Sequence, residues 1–363
     1  MEGVSGPAAR TGVSMTGIPA GTGNPERSRA TAIWLAVVAA AILAMVMVGG
    51  ATRATGSGLS ITQWKPVSGV IPPLSHQDWQ RMFALYKATS QYQLLNQGMT
   101  LAAFKAIFWW EWSHRMLGRF LGVVFVVPFA ILLARRRIPR RLIGRCVVLF
   151  ILGGLQGAVG WWMVESGLEF RTSVAPERLA AHLGLALLLF AAAIWTALDA
   201  WFGSPISPEK GRLSRAADVF LAAVYVQCLL GALVAGNHSG LANADWPLMS
   251  GRILPTDYWQ GDFWTTFVHG LAATQLNHRL WAYGLFAGCV ALALAARRTQ
   301  DRQAQTLTLL ILVALSAQLA LGVATLLLTV PLPLALAHQF TAATILALAT
   351  AFAWETRRAN LVL

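Results

Sequence analysis

Long apolar runs alternate with short polar or basic connections along most of this chain. Eight runs approach or exceed the roughly 20 residues that an α-helix needs to cross a bilayer. They lie near 31–50, 107–134, 142–164, 178–202, 215–236, 269–296, 305–328 and 333–354. Of the 363 residues, 56% are hydrophobic and 12% are charged, whereas soluble domains carry roughly a quarter of charged residues. The pattern predicts an all-α integral membrane protein with eight transmembrane helices.

The net charge of +13 does not indicate nucleic acid as a partner, because the basic residues cluster in every second connection between spans. They are Arg10, Arg27 and Arg29, then Arg135, Arg136, Arg137, Arg140, Arg141 and Arg145, then Lys210, Arg212 and Arg215, then Arg297, Arg298 and Arg302, and finally Arg357 and Arg358. Such clusters follow the positive-inside rule of proteins in a lipid bilayer. Both termini are therefore predicted to be cytoplasmic.

An internal repeat divides the chain into two halves. The segment GSGLSITQWKPVSG after the first span resembles HSGLANADWPLMSG after the fifth, and EWSHR at 111–115 corresponds to QLNHR at 275–279. Further on, LQGAVG at 155–160 parallels AQLALG at 317–322, and RLAAHLGLALLL at 178–189 parallels LALAHQFTAATI at 334–345. Repeats of this kind mark duplicated membrane units. The expected architecture is two pseudo-symmetric four-helix bundles in the same orientation.

The repeat sets the predicted segment boundaries. They are a disordered cytoplasmic tail at 1–30, an N-terminal half at 31–202, a cytoplasmic linker at 203–213, a C-terminal half at 214–355 and a cytoplasmic tail at 356–363. The first tail has no apolar core, so a cleavable secretory signal is not expected; a short organellar transit peptide is the alternative. The first half also has a long outer loop at 70–106. Apolar residues at helical spacing around Trp79, Phe83 and Tyr86 predict an amphipathic helix there, lying on the outer surface.

Four of the seven histidines lie on the even-numbered spans, about two turns after each span begins. They are His114, His182, His278 and His338. A single helical histidine is usually a core residue. Four at equivalent positions of a repeat indicate a functional site instead, because ionisable groups within a membrane are costly. The predicted pairs are His114 with His182 and His278 with His338, each suited to a metal or a haem iron.

Haem is favoured over a bare metal ion at these pairs. Zinc would need further Cys, Asp or Glu ligands at the same depth, and the second half has none there. A haem needs axial ligands, an apolar slot and cations for its propionates. Arg53, Arg115, Arg119 and Arg279 lie near the outer ends of the spans; the alternative for each is a side chain that extends to the membrane interface. Glycines on the spans, among them Gly49, Gly160 and Gly322, are interpreted as sites of close helix packing.

The two halves differ at one polar position. Glu111 of the first half is matched by Gln275 of the second, and Glu111 precedes His114 by one helical turn. A carboxylate can accept a proton or stabilise a developing cation, and glutamine does neither efficiently. The alternative is a glutamate at the membrane interface. The asymmetry favours chemistry at the first pair over two equivalent electron-carrying sites.

The segments GSGLSITQWKPVSG, EWSHRMLGR, RLAAHLGLALLL and NHRLWA resemble the haem A synthase family, in the branch found in proteobacteria and mitochondria. The resemblance covers about 31 to 355. It implies an oxidoreductase that converts the methyl group at ring position 8 of haem O to a formyl group, giving haem A for cytochrome oxidase. The oxygen of that formyl group comes from water or from dioxygen, and both remain open.

The resemblance also implies roles for the residues. His278 and His338 would ligate a resident haem B, with Arg279 beside it. His114, His182, Arg115 and Arg53 would bind the substrate haem, and Glu111 would be catalytic. The outer-loop cysteine pair of some bacterial members is missing, so no thiol role transfers.

Location and partners follow from the same resemblance. A bacterial inner membrane is expected, with haem O synthase, cytochrome oxidase assembly factors and an unidentified electron donor as partners; a homo-oligomer is compatible with it. The alternatives are a dihaem b-type electron-transfer protein and a haem transporter.

Overall fold

The computed structural model describes residues 27–168, 170–204 and 211–359. Ten α-helices lie in these residues: α1 Arg29–Ala54, α2 His76–Lys87, α3 Ser90–Leu95, α4 Leu101–Ala134, α5 Arg140–Leu168, α6 Pro176–Phe202, α7 Arg212–Gly236, α8 Leu271–Ala296, α9 Arg302–Leu327 and α10 Leu332–Ala359. Most of the predicted N-terminal tail, residues 205–210 of the predicted linker and the last four residues lie outside the described part.

All eight predicted spans are confirmed as helices, and within the described residues eight helices are long and apolar enough to cross a membrane. The protein is thus an all-α, multi-pass membrane protein. Local signals fix the helix starts: the Ser28 side chain accepts from the backbone N–H of Thr31 at 3.3 Å, and Pro176 occupies the first turn of α6. Proline is favoured there because the missing N–H would have no partner within the helix. The last helix continues to Ala359, past the predicted end at 354.

The loop before α4 contains two helices where one was predicted. The amphipathic helix around Trp79, Phe83 and Tyr86 is α2, and all three side chains are buried. They pack with Phe104 and Phe108 of α4, so the apolar face of α2 covers protein rather than lipid. This contact explains why α4 begins at residue 101 and not at the predicted 107: the extra turns of α4 form the other side of the small aromatic cluster.

The helix contacts are consistent with two groups of four. In the first half α1 and α5 each pack against both α4 and α6, and in the second half α7 and α9 each pack against both α8 and α10. The helices that carry the histidines, α4 with α6 and α8 with α10, therefore lie at opposite corners of their groups. The remaining helices form the walls between them.

The two halves share one hydrophobic core. Helix α6 packs against α7 and α10, and α1 packs against α10, so buried residues of both halves form one continuous cluster. Polar contacts also cross this boundary. Gln339 of α10 donates to the carbonyl of Val46 at 2.7 Å, and the Trp354 indole donates to the buried Asp199 carboxylate of α6 at 2.8 Å. The halves are therefore fixed relative to each other by packing and by hydrogen bonds.

Candidate functional site

Each of the four histidines rests against a glycine on a neighbouring helix of its own half. A Cβ atom added to the glycine would approach Cε1 of the ring at 2.9 Å for Gly49 and His114, 2.8 Å for Gly160 and His182, 3.1 Å for Gly231 and His278, and 3.0 Å for Gly322 and His338. These distances are shorter than, or at the limit of, ordinary contacts. Glycine at these positions is therefore needed for the close approach of ring and backbone. The sequence interpretation of Gly49, Gly160 and Gly322 as general helix-packing sites missed this local role, and Gly231 was not singled out.

The structure brings His278 and His338 together across the second half. Their ring centroids are 6.4 Å apart and the ring planes are inclined by 68°. Two metal–nitrogen bonds of about 2 Å each, together with the radii of the two rings, account for most of that separation. The separation of the ring centroids is consistent with a single metal atom between the two imidazoles.

The structure places His114 and His182 in the corresponding positions of the first half, on opposite helices and each against its glycine. All four histidine side chains are only partly buried. Nδ1 of His114 and Nδ1 of His338 are nevertheless enclosed without a hydrogen-bond partner. Buried polar atoms normally have partners, so unpartnered ring nitrogens at a predicted ligand site fit a group that bonds to the rings.

Three glutamines that the sequence analysis did not single out contact these histidines. The side-chain N–H of Gln156 lies 3.1 Å from Nδ1 of His182, that of Gln227 lies 3.1 Å from Nδ1 of His278, and that of Gln318 lies 3.3 Å from Nε2 of His338. Gln156 and Gln227 also donate to the main-chain carbonyls of the same histidines, at 2.9 and 3.1 Å. Each glutamine precedes the contacting glycine by four residues, so the sequence signal is a repeated Q-x-x-x-G on α5, α7 and α9.

The Glu111 carboxylate is buried, with 3% of the residue exposed, and both of its oxygens have partners. Oε2 accepts from the Ser60 hydroxyl and from the backbone N–H of Ile61, each at 2.7 Å. Oε1 forms an ion pair with Arg115 at 2.5 Å. The carboxylate therefore ties the loop after α1 to helix α4. The alternative of a solvated interfacial glutamate does not describe this environment.

Gln275 makes the equivalent connection in the second half with the opposite hydrogen-bond polarity. Its amide N–H groups donate to the carbonyls of Ser239 at 3.1 Å and Asn243 at 3.0 Å, while its Oε1 accepts from Arg279 at 3.3 Å. Glu111 and Arg115 together are neutral, whereas Gln275 and Arg279 together carry one positive charge. The two sites thus share a structural link between helix and loop and differ by one negative charge.

The predicted cationic residues divide into two kinds. Arg115, Arg119 and Arg279 donate to loop carbonyls, at 2.7 and 3.0 Å for Arg115, 2.9 Å twice for Arg119, and 2.9 and 3.0 Å for Arg279. They hold the loops to the helices and do not extend freely to the membrane interface. Arg53 differs, because its Nη2 is buried without a hydrogen-bond partner. Burial, and then the positive charge of Arg53, lower the pKa of His238, which lies in the loop after α7.

The donor set fits haem better than a cation held by protein side chains alone. The described residues contain no group of three or more His, Cys, Asp or Glu side chains that could enclose a metal ion. They do contain two imidazole pairs, each in contact with two glycines, and arginines at the loop side of each pair. The histidines of each pair would be the protein ligands of a haem iron, and the arginines would be available for its propionates.

Comparison with known proteins agrees with this geometry. The profile of the COX15-CtaA family, described as cytochrome oxidase assembly protein, matches residues 32–350. The chain belongs to this family. It is 56% identical to a protein named "Heme A synthase" from Caulobacter sp. over 335 residues, which cover 92% of this chain and 98% of the relative. The resemblance to the haem A synthase family is thereby confirmed.

Two further relatives with the same name show how widely the similarity extends. The protein from Caulobacter vibrioides is 55% identical over 335 residues, 92% of this chain and 98% of the relative. The protein from Parvibaculum lavamentivorans is 50% identical over 271 residues, 74% of this chain and 78% of the relative. The two Caulobacter matches cover 92% of this chain, so they include most of both halves.

Proposed function

We propose that this protein is a haem A synthase, an oxidoreductase that converts the C8 methyl group of haem O to a formyl group, with haem B as its resident cofactor. Family membership supports the role in cytochrome oxidase assembly, and the names of the relatives support the product. The observation that carries the proposal is the pair of equivalent histidine sites, of which one alone has a buried carboxylate.

We assign haem B to His278 and His338 and the substrate to His114 and His182. The imidazoles of the second pair have ring centroids 6.4 Å apart, a separation that suits one iron atom, and the neighbouring Gln275 offers no group that takes up a proton. Haem B, when bound, would supply one-electron transfer. Arg279 would lie beside the cofactor, and Arg115 and Arg53 beside the substrate.

Glu111 is assigned the catalytic role at the substrate site. Oε2 of Glu111 accepts two hydrogen bonds and Oε1 is paired with Arg115, so accepting a proton would weaken the ion pair with Arg115. Stabilising positive charge on the reacting group requires no rearrangement, because the charge is already fixed and enclosed. The geometry therefore favours an electrostatic role for Glu111, with proton uptake as the second role.

Location and partners follow from the same proposal. The protein would lie in the bacterial inner membrane with both termini in the cytoplasm and the histidines in the outer half of the bilayer. Haem O synthase would supply its substrate, assembly factors would receive haem A, and an unidentified donor or acceptor would exchange electrons with haem B.

The decisive experiment is the pigment composition of membranes that contain the protein and are supplied with haem O. We expect haem A in the extract and haem B retained by the purified protein. Haem B without any haem A would favour a dihaem b-type electron-transfer protein. Haem O bound without a resident haem B and without conversion would favour a haem transporter.

A further inference from the structure

The four histidine positions are equivalent in their glycines but not in their glutamines. The residue four positions before the contacting glycine is Gln156 on α5, Gln227 on α7 and Gln318 on α9. On α1 the same position, four residues before Gly49, is Met45. The terminal methyl of Met45 points toward α4, where it would lie 3.3 Å from a Cβ atom at Gly118, one turn beyond His114. Met45 therefore faces the same helix that a glutamine would contact.

The consequence for His114 is visible in its hydrogen bonding. Neither ring nitrogen of His114 has a side-chain hydrogen bond among the described residues; its Nδ1 is enclosed without a partner, as is that of His338, but His338 contacts a glutamine through Nε2. The other three imidazoles each contact a glutamine amide. In all three glutamines Oε1 is also buried without a partner. An imidazole that bonds to a metal through one nitrogen carries a proton on the other. The glutamine N–H faces the ring here, so a half-turn of the side-chain amide would present Oε1 as the acceptor for that proton.

Such a partner fixes the ring of a metal-ligating histidine. A hydrogen bond to the second nitrogen sets the tautomer and the orientation of the ring and raises its basicity, and loss of the partner typically weakens metal binding 10- to 100-fold. A thioether provides no comparable acceptor, because sulfur accepts only weakly. His114 should therefore be the weakest and most mobile of the four ligands.

We propose that Met45 makes His114 an exchangeable ligand, which lets the substrate site release its haem, while glutamines secure the other three histidines. The inference rests on the proposed function, in which the first site must bind haem O and release haem A. The distribution of the glutamines matches this requirement. The cofactor site has two, Gln227 and Gln318, and the substrate site has one, Gln156.

The test compares Met45→Gln with Met45→Leu in the full-length protein. Both replacements are close to methionine in size, and only the first adds an amide. The purified proteins are loaded with haem O and mixed with excess apomyoglobin, and the rate of haem transfer is followed by absorbance. The transfer phase of the first site is defined as the phase that His114→Ala abolishes or accelerates. Retention of the haem B spectrum serves as the check that each variant has folded.

We expect Met45→Gln to slow this phase by about 10-fold or more and to increase the low-spin fraction of the bound haem O spectrum, whereas Met45→Leu keeps the wild-type rate. In the opposite direction, Gln156→Met should accelerate the same phase, and Gln318→Met should accelerate the loss of haem B.

Equal rates for Met45→Gln, Met45→Leu and the wild type would overturn the inference and leave the proposed function intact. The proposed function itself would be contradicted if no transfer phase responded to His114→Ala and membranes of the wild type contained no haem A. If Met45→Gln loses haem B, Gln156→Met still decides the question, and an unchanged release rate in that variant overturns the inference.

Discussion

At the residue scale, Glu111 and Gln275 make the same helix-to-loop connection in the two halves with a carboxylate in one and an amide in the other. Both side chains are 3% exposed and connect a helix to the loop that precedes it. Glu111 accepts hydrogen bonds from Ser60, Ile61 and Arg115, whereas Gln275 donates two and accepts one. Exchanging the two residue types alters charge and hydrogen-bond polarity with little change in volume.

Glu111→Gln is expected to reduce haem A formation by about 10²- to 10⁴-fold, a range that covers loss of one electrostatic stabilising group and loss of a general base. Haem O, or a partly oxidised alcohol form, should accumulate. The new amide has an N–H group directed at Ser60, Ile61 or Arg115, each of which is a donor, so some loss of stability is expected as well. Pigment extraction and chromatography of the membranes measure the conversion.

The matched control for that variant is Gln275→Glu, which adds a carboxylate beside Arg279 in the second half. Haem B retained in both variants would show that the fold survives. Near-normal haem A in Glu111→Gln, with haem B present, would mean that Glu111 only holds the loop to α4.

The assignment of the two sites is tested by single histidine replacements. His278→Ala and His338→Ala should each remove the resident haem B, because the substrate-site histidines belong to the other half and cannot reach it. His114→Ala should retain it. The reduced-minus-oxidised spectrum of the purified proteins distinguishes these cases, and loss of haem B from His114→Ala alone would reverse the assignment.

At the scale of helices, the walls of each half are shaped by single glycines that receive imidazole rings. The same arrangement occurs four times, on α1, α5, α7 and α9. A methyl group there would push the ring out of its position, although alanine is the better helix former by about 1 kcal/mol. The position of the imidazole ring therefore favours glycine at these positions, whereas helix propensity favours alanine.

Gly322→Ala is expected to weaken haem B binding, because its Cβ would lie 3.0 Å from Cε1 of His338. The control is Gly288→Ala on α8, where an added Cβ meets no atom within 4 Å. Haem B content per protein, measured as the pyridine haemochrome, should fall in the first variant and stay at the wild-type level in the second. Equal haem content in both would show that the ring adapts to the methyl group.

At the scale of the whole molecule, the shared core and the contact between Gln339 and Val46 join the two halves. Gly50 permits that contact, since a Cβ atom on it would overlap Oε1 of Gln339. Gly50→Ala is expected to destabilise the protein by about 1–3 kcal/mol, a typical cost of overpacking. Thermal unfolding in detergent should show a lower Tm than for Gly153→Ala, where an added Cβ has open space.

The orientation in the membrane is testable through the exposed end of the first loop. Leu74 is 79% exposed, and the native cysteines are buried or partly buried. Leu74→Cys should react with an impermeant maleimide from the outside of intact cells, whereas Gln300→Cys at the basic end should react only after permeabilisation. Labelling of Leu74→Cys solely after permeabilisation would contradict the predicted topology.

The sequence alone determined the eight spans, the repeat and the four histidines. The bilayer determines the length of each apolar segment and the side on which basic residues lie. Both features are local in sequence, so they can be recognised without knowing which helices are in contact. The pairing of histidines also followed from the repeat, because equivalent helices start at the same side. Family membership, expected from local motifs, agreed with the profile match over residues 32–350.

Only the tertiary structure decided what each polar group contacts. The partners of Glu111 lie about fifty residues earlier in the chain, at Ser60 and Ile61, and the glutamines that contact histidines lie on neighbouring helices. Helical periodicity places a residue on a face but does not specify which atoms of another helix it meets. The packing of α2 on α4, and the position of Met45 where the other three helices have a glutamine, could be interpreted only in the folded protein for the same reason. Both depend on contacts between segments that are distant in sequence.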